Sequence, residues 1–111
     1  MSESEEPAIT DRVGTRLLFE NDRVRVWDLA LAPGEWLEGH RHRDDFLFIV
    51  AQGGHLRHAD PNSPADGHEV RYADGQVVFI EAHGDTVHQR LTNIGDAPYR
   101  NFVIELKSGK D

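Results

Sequence analysis

The chain has 111 residues, 38% of them hydrophobic and 29% charged, which suits one soluble globular domain with a single modest core and excludes two. Its formal net charge of −8 repels a phosphate backbone, so nucleic acid is not an expected partner. With no cysteine, disulfides, thiolate zinc sites and cysteine nucleophiles are excluded together, and any metal must be held by His, carboxylate or amide ligands. No apolar run approaches membrane-spanning length. The first six residues are acidic and polar, unlike a secretory signal, and the cytoplasm is the expected compartment.

Residues 1–11, with Ser2, Glu3, Ser4, Glu5, Glu6 and Pro7, bury nothing and read as a flexible arm. Arg16-Leu17-Leu18-Phe19 is a short strand ended by the turn formers Asn21-Asp22. Residues 23–31 are rich in β-formers without helical spacing and form the next strand, which Pro33-Gly34 punctuates. The stretch from Gly34 to His42 then carries His40 and His42. On a strand they point to one face while Arg41 points to the other, so two imidazoles aim at one spot, an arrangement that suits a divalent transition metal.

Phe46-Leu47-Phe48-Ile49-Val50 follows, apolar at every position. A strand apolar on both faces is covered on both faces, and in so short a chain a second copy is an inexpensive cover, so a homodimer is expected. Gln52-Gly53-Gly54 ends the run, residues 55–59 read as the returning arm of a hairpin, and residues 60–67 read as a loop. The second half offers residues 68–72, a turn at Asp74-Gly75, a strand over 76–80, a turn at Gly84-Asp85, one strand over 86–92, and a last strand over 99–106 before a polar tail at 108–111. Short strands at regular spacing, with no helix longer than a turn or two, predict an all-β barrel or sandwich spanning residues 12–107.

Two motifs between Gly34 and Asn93 give this pattern a family likeness. Gly34, His40, His42 and Gly53 stand at the spacing Gly, five residues, His, any residue, His, then Gly eleven further on; Gly75, Gly84, His88 and Asn93 follow in a second group. In these motifs the chain resembles the cupins, small double-stranded β-helix barrels. The run from Glu20 to Trp27 followed by Pro33-Gly34 is similar to single-domain cupins of the β-alanine degradation type. The resemblance implies a barrel whose interior receives His40, His42 and His88 as ligands for a divalent metal, with Zn, Fe, Mn, Ni and Cu not distinguished. It also implies a glutamate ligand where this chain has Phe46, counting the shorter gap, or Leu47, counting the longer, and a proline where it has Ala82. Losing that carboxylate removes one negative charge, makes a bound ion more electrophilic, weakens affinity for the harder metals and leaves water as the expected fourth ligand.

Phe46 and Phe48 are then expected as pocket wall, Trp36 at the mouth, and Arg90, counted on the same face as His88, as a bidentate holder of a substrate carboxylate or, facing outward, as a salt-bridge partner. Asp44, Glu81 and His83 are the candidate acids or bases. His55, His58 and His68 are expected on the surface of the hairpin. Two functions fit: a small metalloenzyme acting on a carboxylate or carbonyl compound, and a non-catalytic small-molecule-binding barrel, with or without metal. An inert dimeric scaffold is the third.

Overall fold

Alternating apolar positions make strands and nothing else: the described residues hold eleven strands and no helix. The structure is a computed structural model that describes residues 12–60, 63–82, 86–88 and 90–107, with backbone alone at 40, 60, 63–66 and 86–88. The expected N-terminal arm and C-terminal tail, and His83, lie outside the described residues. In chain order the strands are β1 (Arg16–Glu20), β2 (Val24–Leu31), β3 (Trp36–Leu37), β4 (His40–His42), β5 (Asp45–Gln52), β6 (Gly54–Asp60), β7 (Ser63–Tyr72), β8 (Val77–Ile80), β9 (Thr86–His88), β10 (Arg90–Asn93) and β11 (Tyr99–Leu106).

All pairs are antiparallel. Five strands form one sheet in the order β1-β2-β11-β5-β8, four form a second in the order β3-β10-β6-β7, and β4 and β9 form a separate ribbon. The inner face of the large sheet supplies Leu29, Leu31, Phe48, Val50 and Val103 to the core, and the small sheet answers with Leu56 and Leu91. Each such side chain contributes about 1.5–3 kcal/mol on leaving water.

Three expectations change once the pairing is known. Residues 55–59 do not return along β5: β5 pairs with β11 and β8, whereas β6 pairs with β10 and β7. The chain changes sheets at Gly53, where a Cβ would collide with the carbonyl oxygen of Tyr72, so the crossing requires glycine. The expected loop over 60–67 is mostly strand, because β7 begins at Ser63. Since β7 is the edge of its sheet, Pro64 is compatible with a strand there. Residues 86–92 form two strands in different sheets.

The turn ahead of the histidines is built from sequence alone. Pro33 and Gly34 occupy the middle of a turn closed by the Glu35 amide donating to Ala32 O at 2.9 Å, and Gly34 has φ +86°, a conformation glycine adopts without penalty. Asn93 then ties this turn to the barrel. The Gly34 amide donates to Asn93 O at 2.8 Å, and the Asn93 amide donates to Glu35 O at 2.9 Å. Its side chain, fully buried, donates from Nδ2 to Leu31 O and Ala97 O, both at 2.9 Å, and accepts from the Gly95 amide at Oδ1, also at 2.9 Å. The second motif's Asn is a structural clip.

Candidate functional site

The two motifs meet on the β4–β9 ribbon. Its register sets His40 opposite His88, Arg41 opposite Val87 and His42 opposite Thr86. Stretches 44 residues or more apart in sequence therefore share one ribbon, and residues directly opposite across an antiparallel pair lie on the same face. The side chains of His40 and His88 lie outside the described residues. His42 is described: it is 2% exposed, and its ring stacks on Phe46 with centroids 3.8 Å apart and planes 10° from parallel. Phe46 thus lays a flat apolar surface against an imidazole. Asp45 faces away from Phe46, as strand alternation requires, and its Oδ1 accepts from the Ala82 amide at 2.9 Å. A proline at 82, the residue usual in the family, has no N–H to give.

His42, Phe46 and Phe48 border a cavity of about 330 Å³ inside the barrel. Its walls are mostly apolar, with a few convergent polar groups, which is the composition of a small-molecule pocket. Two of those polar groups are His58 and His68. They stand opposite each other in the β6–β7 register, with rings 5.1 Å apart and 18° from parallel, and both line the cavity. His68 is exposed, as expected of a surface residue of the hairpin, but it also borders the cavity, whereas His58 is half-buried, which corrects the expectation for that residue. His55 does lie in the hairpin, where its Nε2 is 2.7 Å from Glu69 Oε1.

The buried end is made by Tyr72, Tyr99 and Asn101. Asn101 Nδ2 donates to the Tyr99 hydroxyl at 2.6 Å, and Phe48 and Tyr72 meet edge to face at 5.3 Å. Burial pushes both tyrosine hydroxyls up from their ordinary pKa, so they act as neutral hydrogen-bonding groups.

Arg90 and Trp36 are placed elsewhere. In β10 the buried positions are Leu91 and Asn93, which puts Arg90 on the opposite face, and since β9 belongs to another sheet the parity of His88 does not carry over to it. The Arg90 guanidinium pairs with Glu38 at 3.1 Å and lies over the Trp36 ring at 4.9 Å, while Trp36 Nε1 donates to Glu38 Oε2 at 2.9 Å. That indole hydrogen bond, then Arg90, hold the Glu38 carboxyl below its usual pKa range. Neither Arg90 nor Trp36 borders the cavity, and Arg90 takes the outward, salt-bridged alternative. Asp44 borders a separate outer cleft with Arg41 and Arg43, and Glu81 is exposed.

Comparison with solved structures decides the architecture. A cupin domain from Bordetella pertussis superposes with a TM-score of 0.71 at 21% identity, covering 96% of this chain and 100% of that one. The chain has the cupin fold. An RmlC-like cupin family protein with a double-stranded β-helix, from Methanocaldococcus jannaschii, is similar at TM-score 0.63 and 16% identity over 98% of this chain and 95% of that one. A cupin superfamily sugar phosphate isomerase from Silicibacter pomeroyi is similar at TM-score 0.53 and 22% identity, over 78% of this chain and 52% of that one. No protein-family profile and no curated protein matches the sequence. No helix among the described residues is long and apolar enough to cross a membrane.

Within this cupin barrel the interior polar groups come from both sheets. His58 and His68 project from the small sheet, Tyr99 and Asn101 from the large one, and His42 from the β4–β9 ribbon. The signal for the first pair was present in the alternation: Leu56 and His58 share a face of β6, and His68, Val70 and Tyr72 share a face of β7. Among the described residues no three His, Asp or Glu side chains are grouped to hold a metal. A metal at the family's position would need the imidazoles of His40 and His88 beside that of His42, and three neutral imidazoles with an open position are a sufficient donor set for a divalent ion.

Proposed function

We propose that this protein is a small metalloenzyme that takes an organic carboxylate or carbonyl compound into the barrel, with His40, His42 and His88 holding a divalent transition metal at the cavity. The observation that carries the reading is the buried His42 ring on the cavity wall, on a ribbon whose register places His40 opposite His88. A bound ion would supply Lewis-acid polarisation of a substrate oxygen. Phe46 orients His42 by stacking and closes the position where a carboxylate would otherwise sit. Phe48 and Leu91 exclude water from the substrate's apolar part, and the imidazoles of His58 and His68 are placed to give or accept a proton on the cavity's open side.

The exchange of a glutamate ligand for Phe46 favours one other reading, a binding barrel without turnover in which the metal anchors the ligand. Both are tested by metal analysis of protein purified without a histidine tag. The expected result is one equivalent of a transition metal, lost in the His40→Ala/His42→Ala variant. Turnover of a small carboxylate that vanishes in the same variant separates the enzyme from the binder. A metal content unchanged by the double substitution removes the proposal.

The protein works as a homodimer through the outer face of its large sheet. One register row across that sheet reads Phe19, Val26, Ile104, Leu47 and Phe79, with Ile49 and Val77 in the next. Phe19 is 53% exposed, Phe79 54% and Val77 60%, a contiguous apolar surface of the kind that marks an interface. Sedimentation velocity is expected to show a dimer that Phe79→Arg combined with Ile49→Arg converts to a folded monomer; a monomeric parent protein contradicts the assignment.

A further inference from the structure

The buried end of the cavity carries a feature that the metal site does not use. Tyr99 is 1% exposed and Asn101 3%, and strand alternation in β11 turns both side chains inward beside Val103. The Asn101 side chain borders the cavity; its amide spends the nitrogen on the Tyr99 hydroxyl at 2.6 Å, while its buried Oδ1 has no hydrogen-bond partner among the described residues. A buried amide oxygen left unsatisfied is costly, and proteins rarely keep one without a use for it. The pair is set among Phe48, Leu29 and Val103, so an apolar ligand body reaching it is already out of water.

We propose that Asn101 and Tyr99 form a hydroxyl-recognition subsite, so that the ligand is a small, mainly apolar molecule entering with a hydroxyl group innermost. This deepens, and rests on, the reading of the cavity as a small-molecule site. The ligand O–H donates to Asn101 Oδ1, and its oxygen accepts from the Tyr99 hydroxyl, which burial keeps protonated. Turning the amide over exchanges donor for acceptor, and a hydroxyl still satisfies it because it offers both. A methyl group offers neither. A carboxylate offers acceptors only and gives up its hydration to enter, so an acidic group belongs at the His58–His68 side and not at this end. A site built to hydrogen-bond a hydroxyl rejects the analogue lacking it.

Phenol and toluene have nearly the same shape and differ at that one group. Titration calorimetry on the purified full chain is expected to show phenol binding at least tenfold more tightly than toluene. The near-isosteric Asn101→Leu variant should bring the ratio to one or invert it, by losing phenol while keeping toluene. In the unsubstituted protein the Asn101 side-chain amide resonances should shift with phenol and not with toluene, a readout that does not depend on the variant folding. Toluene binding as tightly as phenol overturns the subsite and leaves the cavity reading standing. Failure of both probes to bind overturns the two together.

Discussion

Replacing Asn93 with alanine is expected to cost about 2–4 kcal/mol of stability, because it removes three side-chain hydrogen bonds at once and leaves buried backbone groups without partners. The residue is fully buried, and its amide joins the end of β2 at Leu31 to the turn at Gly95 and Ala97. Its backbone is also the partner of Gly34 and Glu35, so relaxation around the lost side chain reaches the turn that leads into the histidine strand. For a domain of this size the cost corresponds to a fall in melting temperature of roughly 10–20 °C. Asn93→Asp should fare no better: it keeps the acceptor for Gly95, loses both donated bonds and places a charge in the interior. Thermal unfolding followed by circular dichroism measures this directly. A loss within about 0.5 kcal/mol, the range of an ordinary surface substitution, would show that the clip carries no strain-bearing role.

The second large effect concerns Phe46. Phe46→Glu restores the residue usual in the family at a position that is 2% exposed and stacked on His42. Without metal, the variant buries a carboxylate and forfeits an aromatic contact, and the expected cost is about 3–5 kcal/mol. With a divalent ion present, the same carboxylate becomes a ligand and its burial is compensated, so much of that loss should return. Melting curves of the variant with and without added Zn, Ni or Mn should therefore diverge far more than those of the parent protein. Phe46→Leu supplies the control, since it loses the ring without adding a charge. Equal destabilisation of Phe46→Glu with and without every ion tested would place the metal away from His42.

Much of the fold was legible because strands announce themselves by period two and by the residues that end them. β2, β5, β8 and β11 fall within a residue or two of where Val, Phe, Ile and Trp alternate or cluster between Pro, Gly, Asn and Asp. Which strand pairs with which was less legible. The step at Gly53 from one sheet to the other leaves no local mark distinguishing it from a hairpin turn, and β7 begins at Ser63-Pro64, within a stretch whose chemistry reads as loop. Only the edge position of β7 makes that composition compatible with a strand. The same limit governed the site. His42 and Phe46 were found from motif spacing, whereas Arg90 was left between an inward and an outward place because its parity with His88 does not carry across the break between sheets. His58 and His68 were set aside for lack of a motif, although the apolar residues two positions away on each strand already gave their face. Asn101 shows no sequence signal beyond sharing the parity of Tyr99 and Val103.

The reading rests on imidazoles from two distant segments holding one ion at the edge of the cavity. Diffraction data collected at the absorption edge of the bound metal, from crystals of tag-free protein, locate that ion without assumption. The expected result is a single anomalous peak about 2.0–2.2 Å from one ring nitrogen each of His40, His42 and His88. A peak held instead by His55, His58 or His68, or none in crystals soaked with Zn, Ni and Mn in turn, would contradict it.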